Sequence, residues 1–570
     1  MLENCLSMSL VPKSKAGPSP VSAWDSETRL LAWLATCVAV FSFLFYFQRG
    51  DVLLYGDAVA HMNIARRVFD SKTPGLLQLG TVWLPLPHLL MIPFLISNEM
   101  WRRGLGGSIP SLVAYVFGVV GMFRLVRGSL AGRAAPDAAA RIAPWVAALV
   151  YAANPNLIYM QTTAMGESLY LGLFIWAVAY CSEFIAGDAK ALTKCGLCLA
   201  AACLTRYDGW FLAAVLAAVI VFLSFRSGKT PQGNTGGVSR GTVIKFVLIA
   251  TAAPALWLAY NGIIYRNPLE FENGPYSAKA IERKTQSAGN PGHPGSGNLL
   301  VAGLYFVKSG EANVAENHWL GRLWVLLGLA ALVTAVPVLR ARLGAATDAM
   351  AHAWLPLLLL LVPVPFYALS VAYGGVPIFV PAWWPFTHYN DRYGLQLLPA
   401  FAMAVAVLVS LCIRAARPSP RLRLVFALSI LGVVVVSYAS VWYARPICLQ
   451  EAEINMRSRN RLEAQLATWL HKLPADSTLL MYVGDHVGAL QQAGIPLAHT
   501  INEGNHRVWK QPVDPDGLWE RALANPAQYA DYVVAFEGDA VWQAVQEKHL
   551  AELVEIQVTG QARAIVYRAR

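Results

Sequence analysis

The chain has 570 residues, 56% of them hydrophobic and only 14% charged, with a net charge of +11. Soluble domains carry about 25% charged residues, so a soluble enzyme is excluded, and without a basic patch interleaved with aromatics the positive charge does not point to nucleic acid. Apolar runs of membrane length recur instead, with most Lys and Arg in the short loops between them, which is the pattern of a polytopic α-helical membrane protein.

Residues 1–30 are polar, carry Lys13 and Lys15, and lack the apolar core of a cleavable signal, so they read as a short cytoplasmic tail. About eleven spans follow in a membrane domain over residues 31–443, at roughly 31–47, 108–127, 142–159, 169–187, 191–205, 210–225, 243–265, 319–339, 352–373, 395–413 and 424–443. One orientation, with the N-terminus inside, then collects Arg124, Arg127, Arg133, Arg141, Lys190, Lys194, Arg226, Lys229, Arg240, Arg340, Arg342, Arg414, Arg417, Arg421 and Arg423 in cytoplasmic loops. The proline-broken run 84–97, LPLPHLLMIPFLIS, is too short to cross and reads as re-entrant or interfacial. RYDGW, from Arg206 to Trp210, reads as an outer turn between two helices. Residues 227–239 form a Gly/Ser/Thr-rich cytoplasmic loop. Cys195 and Cys198 have CxxC spacing but lie in an apolar run without partner ligands, so they read as small packing residues.

Three outer segments are long: 48–107, 266–318, and everything after 444. The last alternates an amphipathic stretch, RLEAQLATWLHKL, with short β-like runs, TLLMYV, YVVAF and AIVYR. That pattern predicts a soluble extracytoplasmic α/β domain over 444–570.

Ionisable residues gather at the outer ends of the spans. Asp57 and His61 share a face if the segment after Gly56 is helical; Glu167 opens a span; Arg206 and Asp208 occupy an outer turn; Arg392 opens another span. Such residues at membrane depth are costly and usually line a cavity or pathway. A carboxylate can take a proton from an acceptor hydroxyl, and an arginine can hold a phosphate through parallel hydrogen bonds. Together they suit transfer from a lipid-linked sugar phosphate. Each residue also has a plainer reading. Asp57 is placed to cap a helix, Glu167 to favour a helix N-terminus, Arg206 to pair with Asp208, and Arg392 to snorkel to headgroups. His61 also suits a structural role, and Arg66 and Arg67 suit contact with lipid phosphates or solvent. His88 and Trp83 fit a substrate groove or an interfacial anchor, and Tyr276 and Lys279 fit a cover over a lipid substrate or a plain loop.

The stretches GDAVAH (Gly56 to His61), GES around Glu167 after Asn154-Pro155, LTRYDGW (Leu204 to Trp210), NPLEF (Asn267 to Phe271) and RYGLQLLP (Arg392 to Pro399) together resemble the GT-C superfamily. These are integral-membrane glycosyltransferases that use polyprenyl-phosphate sugars, and the likeness is to the branch of protein O-mannosyltransferases and the lipid A aminoarabinose transferase. The resemblance implies an inverting hexosyl- or pentosyltransferase at the bacterial inner membrane, with a polyprenyl-phosphate-sugar donor and a hydroxyl acceptor on a protein, lipid or glycan. It implies that Asp57 is the catalytic base and that Glu167 supports it or binds sugar. His61, His88, Arg206, Asp208, Arg392, Tyr276 and Lys279 are the expected substrate-binding residues. Many relatives carry paired acids at the first position, whereas Ala58 follows Asp57 here. That difference leaves the use of a divalent metal open. A transporter or flippase for an anionic lipid or solute is the alternative reading.

Overall fold

The computed structural model describes residues 24–130, 137–227, 240–287, 289, 291–335, 353–414, 419–505 and 516–570. Most of the N-terminal tail, most of the 227–239 loop, and Arg133, Lys229, Arg340, Arg342 and Arg417 lie outside the described residues. Nine helices among the described residues are long and apolar enough to cross a membrane. The first, Ser26–Arg49, starts where Asp25 accepts from the Thr28 N–H at 2.9 Å and ends at Gly50, whose φ of 77° suits a residue without a side chain.

Two of the expected spans are shorter than a bilayer crossing. Residues 142–159 divide at Asn154-Pro155, leaving Ala138–Ala152, and residues 191–205 form Ala189–Cys203. At 15 residues, each reaches only about 22 Å. The run 84–97 forms the helix Leu86–Leu95, about 15 Å long and half the hydrocarbon core of a bilayer, as its prolines predict. The segment 266–318 is more ordered than its Gly/Pro/Asn content suggests, with helices Glu270–Asn273, Ala278–Ser287 and Leu299–Val314.

Ion pairs mark one end of the bundle. Arg124 pairs with Glu183 at 2.5 Å, Arg127 with Asp25 at 2.5 Å, and Arg414 with Asp137 at 2.8 Å. Asp57 follows the far end of the first helix, and Glu167, Asp208 and Arg392 start or nearly start helices that end near this basic face. The residues singled out from sequence therefore sit at the opposite end of the same helices.

The chain beyond 444 begins with the helix Ile447–Leu470 and carries a five-stranded sheet. Its strands are β1 (Leu479–Met481), β2 (Thr500–Ile501), β3 (Tyr532–Phe536), β4 (Ala551–Ile556) and β5 (Ala564–Arg568), in spatial order β2-β1-β3-β5-β4. β1 runs parallel to β2 and β3, whereas β5 is antiparallel to both β3 and β4. This α/β unit is bolted to the segment 48–107 by buried polar groups. Asp70 accepts from Arg66 Nε at 2.7 Å and from the backbone N–H groups of Leu497 and Ala498 at 3.2 and 2.9 Å. Asn63, Trp101 and Gln491 close a ring of hydrogen bonds beside it.

Arg66 therefore departs from its expected contact with lipid phosphates or solvent. It is 4% exposed, donates to Leu95 O at 2.7 Å and to Asn98, and lies over the Trp101 ring. Removing one partner of a buried pair leaves the other charge unpaired, so Asp70→Ala is expected to cost about 3–5 kcal/mol. Thermal unfolding, together with faster limited proteolysis of the 444–570 region, measures this loss.

Candidate active site

The site is assembled from helix starts. The helix Gly56–Arg67 places Asp57 in its first turn, but Tyr55 occupies the capping position and makes no side-chain capping bond. The Asp57 carboxylate instead accepts from Arg392 Nη2 at 2.6 Å. Glu167 likewise opens Glu167–Ile185 without serving as its cap: one oxygen, Oε1, accepts from Arg206 Nη1 at 3.1 Å and from Arg392 Nε at 3.2 Å. Arg206 completes its set with Asp208 at 3.3 Å and with the Tyr367 hydroxyl at 2.9 Å, and that hydroxyl donates to Asp208 at 2.8 Å. Both guanidiniums approach the Tyr393 ring, 4.9 Å from its centroid for Arg206 and 5.3 Å for Arg392. The structure thus brings Asp57, Glu167, Arg206, Asp208 and Arg392 into one network.

Sequence reasoning missed a member of this network. Glu451, on Ile447–Leu470, accepts from Arg392 Nη1 at 2.7 Å and from the backbone N–H groups of Asn390 and Arg392 at 2.9 and 3.3 Å. The helix after 444 is therefore part of the site. Tyr55 reaches the same helix by donating to Cys448 O at 2.8 Å. The available signal was an acid on the helix's apolar face, flanked by Leu449 and Ala452, which are both buried with it.

Close backbone packing holds Arg392 in place. Ser309 and Asn313 both donate to Asp391 O, at 2.7 and 2.6 Å, and the Gly394 N–H donates to Ser309 Oγ at 3.1 Å. A Cβ on Gly394 would overlap the backbone of Ser309 and Gly310, so the glycine in RYGLQLLP permits the helix Leu299–Val314 to approach.

Exposure separates the carboxylates. The Asp57 side chain is 40% exposed, whereas those of Glu167 and Glu451 are each 1% exposed. Asp57 opens onto a cavity of about 1380 Å³ that is also lined by His61, Trp83, Glu167, Arg206, Asp208 and Arg392. Its walls come from the membrane helices (Phe211, Phe366), the 266–318 segment (Phe271, Tyr276) and the C-terminal unit (Tyr482, Asp485). It exceeds the usual range of about 300–1,000 Å³ for small-molecule sites.

Two expected contact residues do not line this cavity. His88 is fully buried behind His61, and Lys279 is paired with Glu272 at 2.5 Å. Among the described residues, no group of three or more His, Cys, Asp or Glu side chains is arranged to hold a metal ion.

No protein-family model and no curated protein matches the chain. Among solved structures it matches ArnT from Cupriavidus metallidurans bound to undecaprenyl phosphate, with a TM-score of 0.53 and 13% identity over 96% of this chain and 99% of that one. It matches the apo state of the same protein with a TM-score of 0.53 and 15% identity over the same shares. The chain has the ArnT fold. That fold agrees with the architecture expected from GDAVAH, LTRYDGW and RYGLQLLP. The match extends beyond those motifs to the C-terminal α/β unit, since it spans nearly the whole of both chains.

Proposed function

We propose that this protein is a membrane glycosyltransferase that moves a sugar from a polyprenyl phosphate to a hydroxyl acceptor. The observation that carries the reading is the contrast among the site's acids: Asp57 reaches the cavity, while Glu167 and Glu451 are sealed against guanidiniums. An exposed carboxylate beside a large cavity is placed to take a proton from an acceptor hydroxyl. The acceptor oxygen then attacks the anomeric carbon, the bond from that carbon to the phosphate oxygen breaks, and the configuration inverts. The polyprenyl phosphate departs as an anion and needs no proton from a general acid.

Arg392 directs Asp57, and together with Arg206 it fixes Glu167. Glu167 supports Asp57 through Arg392, which donates to both carboxylates. Each arginine keeps N–H groups beyond those used by the acids, available to the departing phosphate. The basic residues at the opposite end of the bundle favour a cytoplasmic position for that end. This supports an extracytoplasmic site at a bacterial inner membrane. The likeness to an undecaprenyl-phosphate-bound structure supports the donor class.

The test uses the purified full chain in lipid nanodiscs, supplied with undecaprenyl-phosphate-linked sugars and envelope extracts as acceptors. Mass spectrometry is expected to show free undecaprenyl phosphate and a new glycosidic product. Lipid flipping or solute uptake by reconstituted vesicles, without such a product, would overturn the reading in favour of transport.

A further inference from the structure

His61 lies one helical turn after Asp57 and lines the cavity, packed against Trp83 with ring centroids 4.7 Å apart. Its Nδ1 is 2.7 Å from His88 Nε2. His88 is 0% exposed, and its other nitrogen, Nδ1, is buried without a hydrogen-bond partner.

These observations select a tautomer. Burial holds both rings below the ordinary histidine range, for His61 against the opposing pull of Asp57 and Glu167 and with the support of Arg392 and Arg206. Arg67 adds its charge to the same effect on His88. Two neutral rings share one hydrogen across the 2.7 Å contact, leaving two arrangements. If His61 donates through Nδ1, then His88 carries its own hydrogen on the buried Nδ1, as an orphaned donor. If His88 donates through Nε2, its Nδ1 keeps only a lone pair, and the hydrogen of His61 resides on Nε2. Orphaned buried N–H groups are rarer than under-satisfied acceptors, which favours the second arrangement.

We propose that His88 fixes His61 as the Nε2–H tautomer and that His61 thereby donates a hydrogen bond to a phosphoryl oxygen of the polyprenyl-phosphate donor. The phosphoryl assignment rests on the function proposed above; the tautomer does not. The local charge shows why such a donor matters. Asp57, Glu167, Asp208 and Glu451 outnumber Arg206 and Arg392 in the network, so an incoming phosphate meets excess negative charge. A cavity-facing N–H beside Asp57 offers that phosphate a fixed donor without adding a competing partner for the acids. His88 acts only through His61 and is a positioning residue.

The experiment combines two measurements on the full chain in nanodiscs. Nitrogen-15 NMR of histidine-labelled protein at pH 7, with His61 assigned by difference from His61→Phe, reads the tautomer without ligand. Protonation at Nε2 is expected; protonation at Nδ1 or at both nitrogens would overturn the proposal. The second measurement is the affinity for undecaprenyl phosphate itself. His61→Phe is expected to weaken it about ten-fold or more, as loss of a hydrogen bond to a charged group does. His88→Gln, whose amide Nε2 can still donate to His61 Nδ1, is expected to stay within about three-fold of wild type. His88→Glu places an acceptor against His61 Nδ1 and is expected to put a proton on that nitrogen in the nitrogen-15 spectrum; Nδ1 left unprotonated there would remove the positioning role of His88. Unchanged affinity in His61→Phe would remove the phosphoryl contact. Absence of binding by the wild type would remove the donor reading and the phosphoryl contact with it, while the NMR result still decides the tautomer.

Discussion

Asp57→Asn is expected to bind the lipid donor as wild type does and to transfer almost no sugar, with turnover reduced about 10²–10⁴-fold, the usual contribution of a positioned general base. The substitution is close to isosteric. An asparagine oxygen can still accept from Arg392 Nη2, so the arginine's contacts with Glu167 and Glu451 need not change. What is lost is the capacity to hold the acceptor's proton. Stability is expected to change little, because the Asp57 side chain is 40% exposed and ion pairs with an exposed member contribute about 0–1 kcal/mol. Donor affinity by titration, product by mass spectrometry and melting temperature on one preparation separate these effects. Wild-type turnover in Asp57→Asn would remove the base assignment. A large fall in melting temperature would show that Asp57 serves the fold instead. Glu167→Gln provides the contrast, since Glu167 is buried and joins both arginines, and its loss is expected to lower stability and turnover together.

The membrane architecture was legible in the sequence because hydropathy and loop charge are read locally. The first span, the short helix at 86–95 and the break between helices at RYDGW all follow from length, proline and charge in a single window. Asp57, Glu167, Arg206 and Arg392 were legible for a related reason, since an ionisable residue at a span's end stands out against its surroundings. Glu451 was overlooked because it sits in a stretch where acids are common, and its only local mark is its place on the helix's apolar face beside Leu449 and Ala452. Arg66 was misread for the opposite reason. Two adjacent arginines near an apolar run suggest headgroups, yet the backbone N–H groups that hold Arg66's partner, Asp70, come from residues more than 400 positions later. Such partners become visible only when the chain is folded.

Arg392→Met is expected to be the most damaging single change, unfolding the chain or lowering its stability by about 3–5 kcal/mol and abolishing transfer. Three nitrogens of this guanidinium face three different carboxylates: Nε faces Glu167, Nη1 faces Glu451 and Nη2 faces Asp57. Of these, Asp57 can turn to the cavity and Glu167 keeps Arg206, but Glu451 has no other side-chain cation among the described residues. The cost therefore concentrates on Glu451, a charge left buried with only the backbone N–H groups of Asn390 and Arg392. This argument predicts a specific rescue. Combining Arg392→Met with Glu451→Gln removes both charges, and replacing both partners of a buried pair is often close to neutral. The double variant is expected to melt within a few degrees of wild type and to remain inactive, because Asp57 is still undirected. Arg392→Lys is expected to fold and transfer poorly, since one ammonium cannot present a planar fork to three acids. A double-mutant cycle on melting temperature isolates the Arg392–Glu451 coupling. Equal destabilisation in the single and double variants would show that the arginine acts through packing against Tyr55 and Tyr393 rather than through Glu451.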